Sequence, residues 1–337
     1  MLTTPVVLIV FNRPHLTART LAALREVAPE RLFVVADGPR EEHPDDAERC
    51  AATRALIDDL DWPVEVSRRF SEHNLGLEAN VELGLDWVFG QVDRAIVLED
   101  DCVPDASFFR YAEEMLERYR DDQRVWQVSG SALGVPTRLF DGASYAFSAW
   151  ASVWGWATWA DRWQQHRAFF PRDHVDGDAP VRTRPAEPRP GLLVTPSARR
   201  HFADAAVSDD TVTHGWDKQW WLSMMTSGAF AATPVVNLVE NVGWGEDATH
   251  GKAPGREDHP TEPMAFPLRH PDEVALNVAV ERELELILDR VGGPLAIMAR
   301  RYVTSPRLRH AARLAVNTRA ARGLHRTFSR LVSGEHR

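Results

Sequence analysis

The sequence contains few cysteines and few lysines, and the scarcity of cysteine argues against some classes of protein. It has two cysteines, Cys50 and Cys102, and their separation matches neither a metal-binding motif nor a disulfide framework. This cysteine content fits a reducing, cytoplasmic setting. Lysine is equally scarce, because Lys218 and Lys252 are the only two and almost all other cationic side chains are arginines. A disulfide-stabilised secreted domain is therefore not expected.

Long hydrophobic runs are also missing. The first apolar run, Pro5 to Phe11, is too short for the hydrophobic region of a signal peptide or for a transmembrane helix. No other stretch predicts a membrane span. The net charge of −10 argues against a general nucleic-acid binder, because such proteins carry basic surfaces. We therefore expect a cytoplasmic protein that binds no nucleic acid.

Two common phosphate-binding motifs are absent as well. No G-x-G-x-x-G follows the first apolar run and no G-x-x-x-x-G-K-[ST] occurs, so neither a Rossmann dehydrogenase nor a P-loop enzyme is indicated. Apolar, β-branched runs nevertheless alternate with helical patterns over roughly the first 130 residues, which predicts a doubly wound α/β domain. The polar candidates for holding a nucleotide at its strand ends are Arg13, Asp37 and Asp100. The alternative for each is a loop residue satisfied by water.

Three consecutive carboxylates, Glu99, Asp100 and Asp101, follow the apolar run 95–98 and precede a loop with a proline. Adjacent acids at a buried strand end repel one another and resist desolvation, and a bound cation relieves both effects. Mg²⁺ and Mn²⁺ typically take one or two carboxylates together with substrate phosphates. The stretch therefore indicates a metal–diphosphate site at the carboxyl end of a strand. The alternative is an acidic loop on a solvated face.

Tryptophan is concentrated in the second part of the chain, where five of the twelve fall within fourteen residues. Indole faces pack in protein cores and also against the C–H surfaces of sugars. Trp156, Trp159 and Trp163 recur at helical spacing and are interpreted as core. Trp150 and Trp154 are the candidates for facing a pocket.

Three later segments carry polar groups of interest. The stretch 171–191 is rich in Pro, Arg, Asp and Gly and is interpreted as a mobile surface insertion. Asp217 opens an aromatic helix, where it is either favourably placed on the helix dipole or a partly desolvated general base. A glycine-rich loop over 240–251 is typical of a lid over substrate. Its His250 either meets phosphate or metal or is an ordinary loop histidine.

The order of these motifs resembles the GT-A-fold glycosyltransferases, and within them the N-acetylglucosaminyltransferase I type and bacterial glycosyltransferases with a Trp-Gly-Trp-Ala-Thr-Trp segment. The most specific part is the Glu-Asp-Asp block followed by Pro-Asp-x-x-Phe-Phe, and the resemblance extends over roughly residues 5 to 251. The matching stretches are Phe11–Pro14, Asp37, Val97–Asp101, Pro104–Phe109, Val128–Gly130, Gly155–Trp156, Trp216–Asp217 and 234–251.

The resemblance implies a GT-A (Rossmann-like) nucleotide-diphospho-sugar transferase fold, with a mostly parallel central sheet and C-terminal helices. It implies that Asp101 coordinates Mn²⁺, or alternatively Mg²⁺, that bridges the donor diphosphate. Asp100 would bind the ribose, and Glu99 would contact the donor or support the metal ligand. Arg13 and Asp37 would hold the nucleotide base.

The remaining implied roles concern the sugar and the acceptor. Asp217 would be the general base that deprotonates the acceptor hydroxyl. Here the chain departs from the family. The family has a pair of acidic residues near the base, and this chain has Asp217-Lys218 in that place. Trp156 would bind the nucleotide sugar, and the late loop with His250 would close over it. The sugar-binding segment also differs from the family, so the resemblance leaves the donor sugar open.

This interpretation divides the chain into three parts. Residues 1–135 form a nucleotide-sugar-binding α/β half, and 136–270 form an acceptor-binding half. Residues 271–337 form a helical region that begins with an amphipathic helix over 272–290. From residue 300 onward ten arginines accompany a single acid, Glu335. This basic tail is interpreted either as an interfacial helix on an anionic membrane or as a helix packed on the acidic body of the protein.

The sequence thus predicts an inverting, Mn²⁺-dependent hexosyl- or N-acetylhexosaminyltransferase that uses a nucleotide-diphosphate sugar, most simply a UDP-sugar. Its acceptor would be a bacterial surface glycan or a lipid-linked precursor at the inner face of the plasma membrane. Two other classes stay open. One is a retaining transferase or nucleotide-sugar hydrolase on the same fold, and the other is a non-catalytic, tryptophan-rich glycan-binding protein.

Overall fold

Eight strands form one central sheet that has helices packed on both of its faces. A computed structural model describes residues 2–170, 199, 215–243 and 259–290. The predicted α/β class with a mostly parallel sheet is confirmed, because four of the seven neighbouring strand pairs run parallel. The strands are β1 (Val6–Val10), β2 (Arg31–Ala36), β3 (Glu65–Phe70), β4 (Arg94–Glu99), β5 (Cys102–Pro104), β6 (Val125–Ser129), β7 (Tyr145–Ser148), β8 (Trp156–Trp159), β9 (Phe230–Pro234) and β10 (Val239–Asn241).

The helices follow the alternation that the sequence predicts in the first half of the chain. A short 3-10 turn at Thr137–Phe140 precedes β7. The described helices are α1 (Pro14–Val27), α2 (Asp46–Ala55), α3 (Leu77–Phe89), α4 (Ala106–Arg118), α5 (Ala160–Phe169), α6 (Trp216–Ser227) and α7 (Val278–Arg290).

The sheet has the strand order β3-β2-β1-β4-β8-β6-β9-β7. Strands β3, β2, β1 and β4 all run parallel, as successive βαβ units require. Strand β8 is antiparallel to both of its neighbours, β4 and β6. Strands β5 and β10 form a separate antiparallel ribbon. The predicted boundary between residues 135 and 136 does not separate two sheets. Strands that precede it and strands that follow it belong to the same eight-stranded sheet.

Alternate residues of the inner strands enter two cores on opposite faces of the sheet. On β1, Val6, Leu8 and Val10 belong to the core that α1 and α4 cover. Val7 and Ile9 belong to the core that α3 and α6 cover. All five side chains of β1 are buried. This explains why its sequence is a continuous apolar run and not an alternation of apolar and polar residues.

Tryptophans form much of the second core. Trp126, Trp156 and Trp163 surround Trp220, with ring centroids 5.2–5.8 Å from its own. The predicted core role of Trp156, Trp159 and Trp163 is confirmed by exposures of 1–2%. The helical spacing that suggested it was misleading, because Trp156 and Trp159 lie on strand β8 and point into opposite cores.

The C-terminal helix α7 starts later than the predicted 272–290. Asn277 caps it, since its Oδ1 accepts hydrogen bonds from the backbone N–H of Ala279 and Val280, both at 3.1 Å. Before the helix, residues 272–274 form bends and Leu276 makes an isolated bridge to Phe147 of β7.

A carboxylate, Glu281, attaches α7 to the edge of the sheet. Its side chain is fully buried, and Oε2 accepts from the Ser148 hydroxyl at 2.8 Å and from the Ala149 N–H at 2.9 Å. Oε1 has no hydrogen-bond partner in the described part of the chain. Burial raises the pKa of Glu281 to about 7, although both hydrogen bonds oppose the shift.

We expect Glu281 to make the protein less stable as the pH rises from 5 to 8. The ordinary pKa of 4.5 applies in the unfolded chain and about 7 in the folded one. Between these values the folded state binds more protons, so the free energy of unfolding falls with pH, by about 3 kcal/mol in total. Glu281→Gln should flatten that slope in urea unfolding. Glu273→Gln, an exposed acid before the same helix, is the matched control. Parallel profiles for Glu281→Gln and wild type would contradict this assignment.

Two predicted features lie wholly outside the described residues. These are the insertion at 171–191 and the basic tail from residue 300. Within the described part of the chain, no helix has the length and apolar character needed to cross a membrane.

Candidate active site

The three predicted acids lie at the carboxyl edge of the sheet. Glu99 is the last residue of β4 and pairs with Ile9 of β1, and Asp100 and Asp101 follow it directly. Asp100 is 2% exposed and Asp101 is 9% exposed. We call these three residues the acidic cluster. It occupies the edge at which open α/β sheets bind their ligands.

Arg13, just before helix α1, is the cation that faces the acidic cluster. Its Nε lies 3.3 Å from Asp100 Oδ2, its Nη2 contacts Asp100 Oδ1, and its Nη1 lies 3.0 Å from Asp101 Oδ2. The guanidinium therefore bridges two adjacent carboxylates through three separate nitrogens, a forked geometry that the single nitrogen of lysine cannot reproduce. Thr20 of α1 holds the same loop, because its hydroxyl donates to the carbonyl oxygens of Asp100 and Cys102 at 2.9 and 3.2 Å.

The acidic cluster carries more negative charge than Arg13 balances. Burial raises the pKa of Glu99 to about 8, with Asp101 and Asp100 adding to the shift. Burial also raises the pKa of Asp100 to about 6, although Arg13 opposes this. Burial lowers the pKa of Arg13, but Asp100 and Asp101 outweigh it and hold the pKa above its usual value. With three acids beside one cation, the site favours a further positive charge.

Strand β10 closes over Asp101. Asn241 Nδ2 donates to Asp101 Oδ1 at 3.4 Å, and the Val242 N–H donates to the Asp101 carbonyl oxygen at 2.8 Å. Gly243 comes so close that a Cβ there would lie 2.1 Å from Asp101 Oδ2. The segment predicted to be a lid therefore begins in contact with the acidic cluster, while its His250 lies outside the described residues.

Asp101 fits the predicted role of metal ligand. Among the described residues, no group of three or more His, Cys, Asp or Glu side chains is placed to hold a metal ion by itself. A divalent ion that takes one or two carboxylates and completes its shell with water and phosphates does not need such a group. Arg13 contacts Oδ2 of Asp101, Asn241 and the Cys102 thiol contact Oδ1, and a carboxylate with about four lone-pair sites still has one to offer a metal. An all-oxygen donor set suits Mn²⁺ or Mg²⁺.

Asp37 directly follows β2, and its carboxylate organises the loop before α3. Oδ1 accepts from the N–H groups of Gly38 and Leu75, both at 2.8 Å. Oδ2 accepts from the Gly76 N–H and from Asn74 Nδ2, both at 3.1 Å. Burial raises the pKa of Asp37 in spite of these hydrogen bonds. The structure thus shows a loop-holding role for Asp37, and its contact with a nucleotide base stays a prediction.

Asp217 is the second residue of α6, and it is exposed. Its carboxylate has no hydrogen-bond or ion-pair partner in the described part of the chain. Trp216, Trp220 and Trp221 are buried in the cores beneath α6. They therefore do not surround Asp217, because the helix turns these aromatic side chains toward the cores and this carboxylate outward. Among the described residues, the predicted desolvation of Asp217 is not found.

Glu78 of α3 fixes the start of α6. Its Oε2 accepts from the Gly215 N–H at 3.1 Å, and its Oε1 accepts from Gln219 Nε2 at 2.8 Å. Gly215 has a φ of 145°, and a Cβ there would lie 2.5 Å from Asp217 Oδ1. Glu78 therefore connects α3 to the turn that places Asp217. The sequence analysis missed it, because an acid in the first turn of a helix is common.

Asp217 and the acidic cluster lie at the same edge of the sheet. Asp217 lines a cavity with Ser131 and Thr233, at the carboxyl ends of β6 and β9, and these strands run in the same direction as β4, which ends at the acidic cluster. The structure therefore brings together five of the residues that the sequence singled out: Arg13, Glu99, Asp100, Asp101 and Asp217.

Trp156 lies beneath this site rather than on its surface. It is 1% exposed and its ring stacks on Trp216 with centroids 5.7 Å apart. The structure does not bring its indole to a position where a donor sugar could pack on it, because β8 carries it into the core. Trp150 and Trp154 are partly exposed, and Trp150 lines a cavity beside Asp217.

The chain is similar in architecture to several solved enzymes. No protein-family model and no curated protein sequence matches it. A galactosyltransferase, LgtC, in complex with donor and acceptor sugar analogues is 11% identical, with 68% of this chain and 73% of that chain covered and a TM-score of 0.33. Mouse xyloside xylosyltransferase 1 is 12% identical, with 66% and 81% covered and a TM-score of 0.34. A UDP-glucose pyrophosphorylase complexed with UDP-glucose is 9% identical, with 50% and 81% covered and a TM-score of 0.28.

At these values the similarities carry no argument about what this chain does.

Proposed function

We propose that this protein is a GT-A-type glycosyltransferase that moves a sugar from a nucleotide-diphosphate donor to an acceptor hydroxyl. One observation carries the proposal. A strand-end acidic cluster with its own arginine lies at the same edge of the sheet as a separate, exposed carboxylate, Asp217, at the start of α6. The acidic cluster suits a bound metal ion and a diphosphate. Asp217 suits a general base that accepts the proton of an attacking hydroxyl.

The donor in this proposal is a UDP-linked sugar held at the acidic cluster. Asp101 would hold the divalent ion. Asp100 would bind the ribose only by giving up part of its contact with Arg13, because that arginine reaches both of its carboxylate oxygens and the residue is 2% exposed. Arg13 keeps the two carboxylates oriented through its forked contacts, while Thr20 and Asn241 hold the loop that carries them. When bound, Mn²⁺ or Mg²⁺ supplies positive charge against the charge that develops on the departing diphosphate.

The transfer step is a single displacement. Asp217 accepts the proton of the acceptor hydroxyl, and a bond forms between that oxygen and the anomeric carbon of the donor. The bond from this carbon to the diphosphate oxygen breaks, and its electron pair leaves with the nucleoside diphosphate. No protein nucleophile takes part, so the anomeric configuration inverts. NMR of the product anomer separates this proposal from a retaining transferase, and release of free sugar without acceptor identifies a hydrolase.

The acceptor in this proposal is a glycan or a lipid-linked glycan precursor. The alternative of a non-catalytic glycan-binding protein receives less support from the structure, because most described tryptophans offer no open face. The tryptophans that are at most 7% exposed are Trp126, Trp156, Trp159, Trp163, Trp216, Trp220 and Trp221.

The first test is calorimetric titration of UDP, GDP, dTDP and CDP with and without Mn²⁺. We expect one nucleotide to bind in a metal-dependent way, and Asp101→Asn to weaken that binding by about tenfold or more, since an amide is a poor ligand for a hard cation. Asp61→Asn, half exposed in a surface ion pair with Arg25, is the control and should bind as wild type. Absence of metal-dependent binding to any of the four nucleotides would overturn the proposal. Unchanged binding by Asp101→Asn would remove Asp101 as the metal ligand.

A further inference from the structure

Two glycines from the motifs that the sequence analysis singled out, Gly130 and Gly155, lie together at the carboxyl edge of β6. Gly130 directly follows β6 and Gly155 directly precedes β8, and the Gly130 N–H donates to the Gly155 carbonyl oxygen at 2.8 Å. A Cβ at Gly130 would lie 2.4 Å from Val239 Cγ2, and a Cβ at Gly155 would lie 2.6 Å from the same atom. The two glycines therefore leave a slot that the Val239 side chain fills.

This slot fixes the start of strand β10. The Gly130 carbonyl oxygen accepts a hydrogen bond from the Val239 N–H at 3.0 Å, and Val239 is 1% exposed. From there β10 pairs with β5, and Asn241 lies opposite Cys102. Because Cys102 directly follows Asp101, the register of this ribbon brings the end of β10 onto Asp101.

The end of β10 contacts both the backbone and the side chain of Asp101. The Val242 N–H donates to the Asp101 carbonyl oxygen at 2.8 Å. The Asn241 amide is oriented by Gly243, whose N–H donates to Asn241 Oδ1 at 3.0 Å. In this orientation Asn241 Nδ2 donates to Asp101 Oδ1 at 3.4 Å, which is a long and therefore weak hydrogen bond.

Gly243 constrains the Asp101 carboxylate more strongly. A Cβ at Gly243 would lie 2.1 Å from Oδ2, 2.8 Å from Cγ and 3.0 Å from Cβ of Asp101. These separations are well inside the range at which non-bonded heavy atoms attract, so a side chain here would push the carboxylate away. The same Oδ2 lies 3.0 Å from Arg13 Nη1, a contact that such a displacement would disturb.

We propose that Asn241 and Gly243 are positioning residues that set the orientation in which Asp101 meets a divalent ion. Gly243 acts through the space that its missing side chain leaves, and Asn241 acts through its amide. Groups that orient a ligating carboxylate typically change metal affinity by about 10- to 100-fold. The inference rests on the proposed function, in which Asp101 holds the ion. It adds that metal affinity depends on a segment 140 positions away in sequence.

The test is titration of Mn²⁺ into the full-length protein, followed by EPR, with UDP, GDP, dTDP or CDP present and with no nucleotide. We expect Gly243→Ala to weaken Mn²⁺ binding by about tenfold or more, and Asn241→Ala to weaken it by a smaller factor because its contact is long. The affinity of the nucleotide without Mn²⁺ should stay within about twofold of wild type in both variants. Gly90→Ala is the matched control, because Gly90 has a φ of −75° and a Cβ there would lie no closer than 3.4 Å to its neighbours.

A double variant separates positioning of Asp101 from a general effect on the fold. If Gly243 acts on the ion through Asp101, adding Gly243→Ala to Asp101→Asn should weaken Mn²⁺ binding by less than about twofold further, because the two effects are coupled. Cooperative urea unfolding of each variant shows that it is folded. Asn241→Ala introduces no steric conflict, so it makes the same comparison if Gly243→Ala does not fold.

The outcomes separate this inference from the proposed function. Wild-type Mn²⁺ affinity in either single variant would remove that residue from the proposal, and in both it would overturn the inference. Equal loss of nucleotide binding with and without Mn²⁺ would also overturn it, as would a full additional loss when Gly243→Ala is added to Asp101→Asn. In all of these cases the wild-type protein still binds a nucleotide together with Mn²⁺. Absence of that binding in the wild type would count against the transferase function instead.

Discussion

Asp217→Asn is expected to lower the rate of sugar transfer by about 10²- to 10⁴-fold while donor binding stays within about twofold of wild type. Removal of a general base costs a factor of this size when no other group replaces it. In the described part of the chain, the Asp217 carboxylate has no hydrogen-bond or ion-pair partner that its loss would disturb. The amide is isosteric, so the turn at Gly215 can be kept. The measurement is single-turnover transfer with the donor identified by calorimetry.

The matched control is Asp121→Asn, an exposed acid whose Oδ1 lies 3.6 Å from Arg120 Nε on the surface. It should transfer sugar at the wild-type rate. Near-normal turnover by Asp217→Asn would remove Asp217 as the base. A parallel loss of donor binding would instead show that Asp217 supports the acidic cluster at the same edge of the sheet.

The parts of this fold that could be predicted are those in which local sequence and tertiary environment agree. Strand β1 is buried on both faces, so its apolar run has no competing interpretation. Strand β4 ends at Glu99, where hydrophobicity gives way to charge. The acidic cluster could be recognised because three adjacent acids after such a strand need a physical reason to be there.

Other strands could not be predicted because their sequences are short or misleading. Strand β7 has four residues and β5 and β10 have three each, below the length at which a period can be read. Strand β8 carries Trp156 and Trp159, whose spacing of three mimics a helix. Its aromatic residues are nevertheless good strand formers, and antiparallel pairing with β4 and β6 decides the outcome.

The site contacts that escaped prediction join residues far apart in sequence. Glu78 and Gly215 are separated by 137 positions, and Asn241 and Asp101 by 140. No local pattern marks such pairs. The same limit explains Asp37, which the sequence offered as a nucleotide contact, because its four hydrogen bonds to the 74–76 loop and Gly38 depend on how β2 and that loop meet.

Arg13→Met is expected to lower the free energy of unfolding by about 3 kcal/mol. The guanidinium side chain is only 16% exposed and contacts two buried carboxylates. Removing one partner of a buried pair leaves the other charge without compensation, and this costs several kcal/mol. Methionine has a similar length and is apolar, so the loss reflects the charge more than the packing. Urea unfolding of both proteins without divalent ions measures the difference.

Arg25→Met provides the matched comparison, because Arg25 pairs with Asp61 on the surface, where both side chains are more than half exposed. Such pairs contribute at most about 1 kcal/mol. If burial of the uncompensated carboxylates is the cause, Asp100→Asn added to Arg13→Met should recover much of the stability, because the pair is coupled. A loss no larger than that of Arg25→Met would show that the acidic cluster does not depend on Arg13. The charge that the cluster requires would then have to come from its ligand.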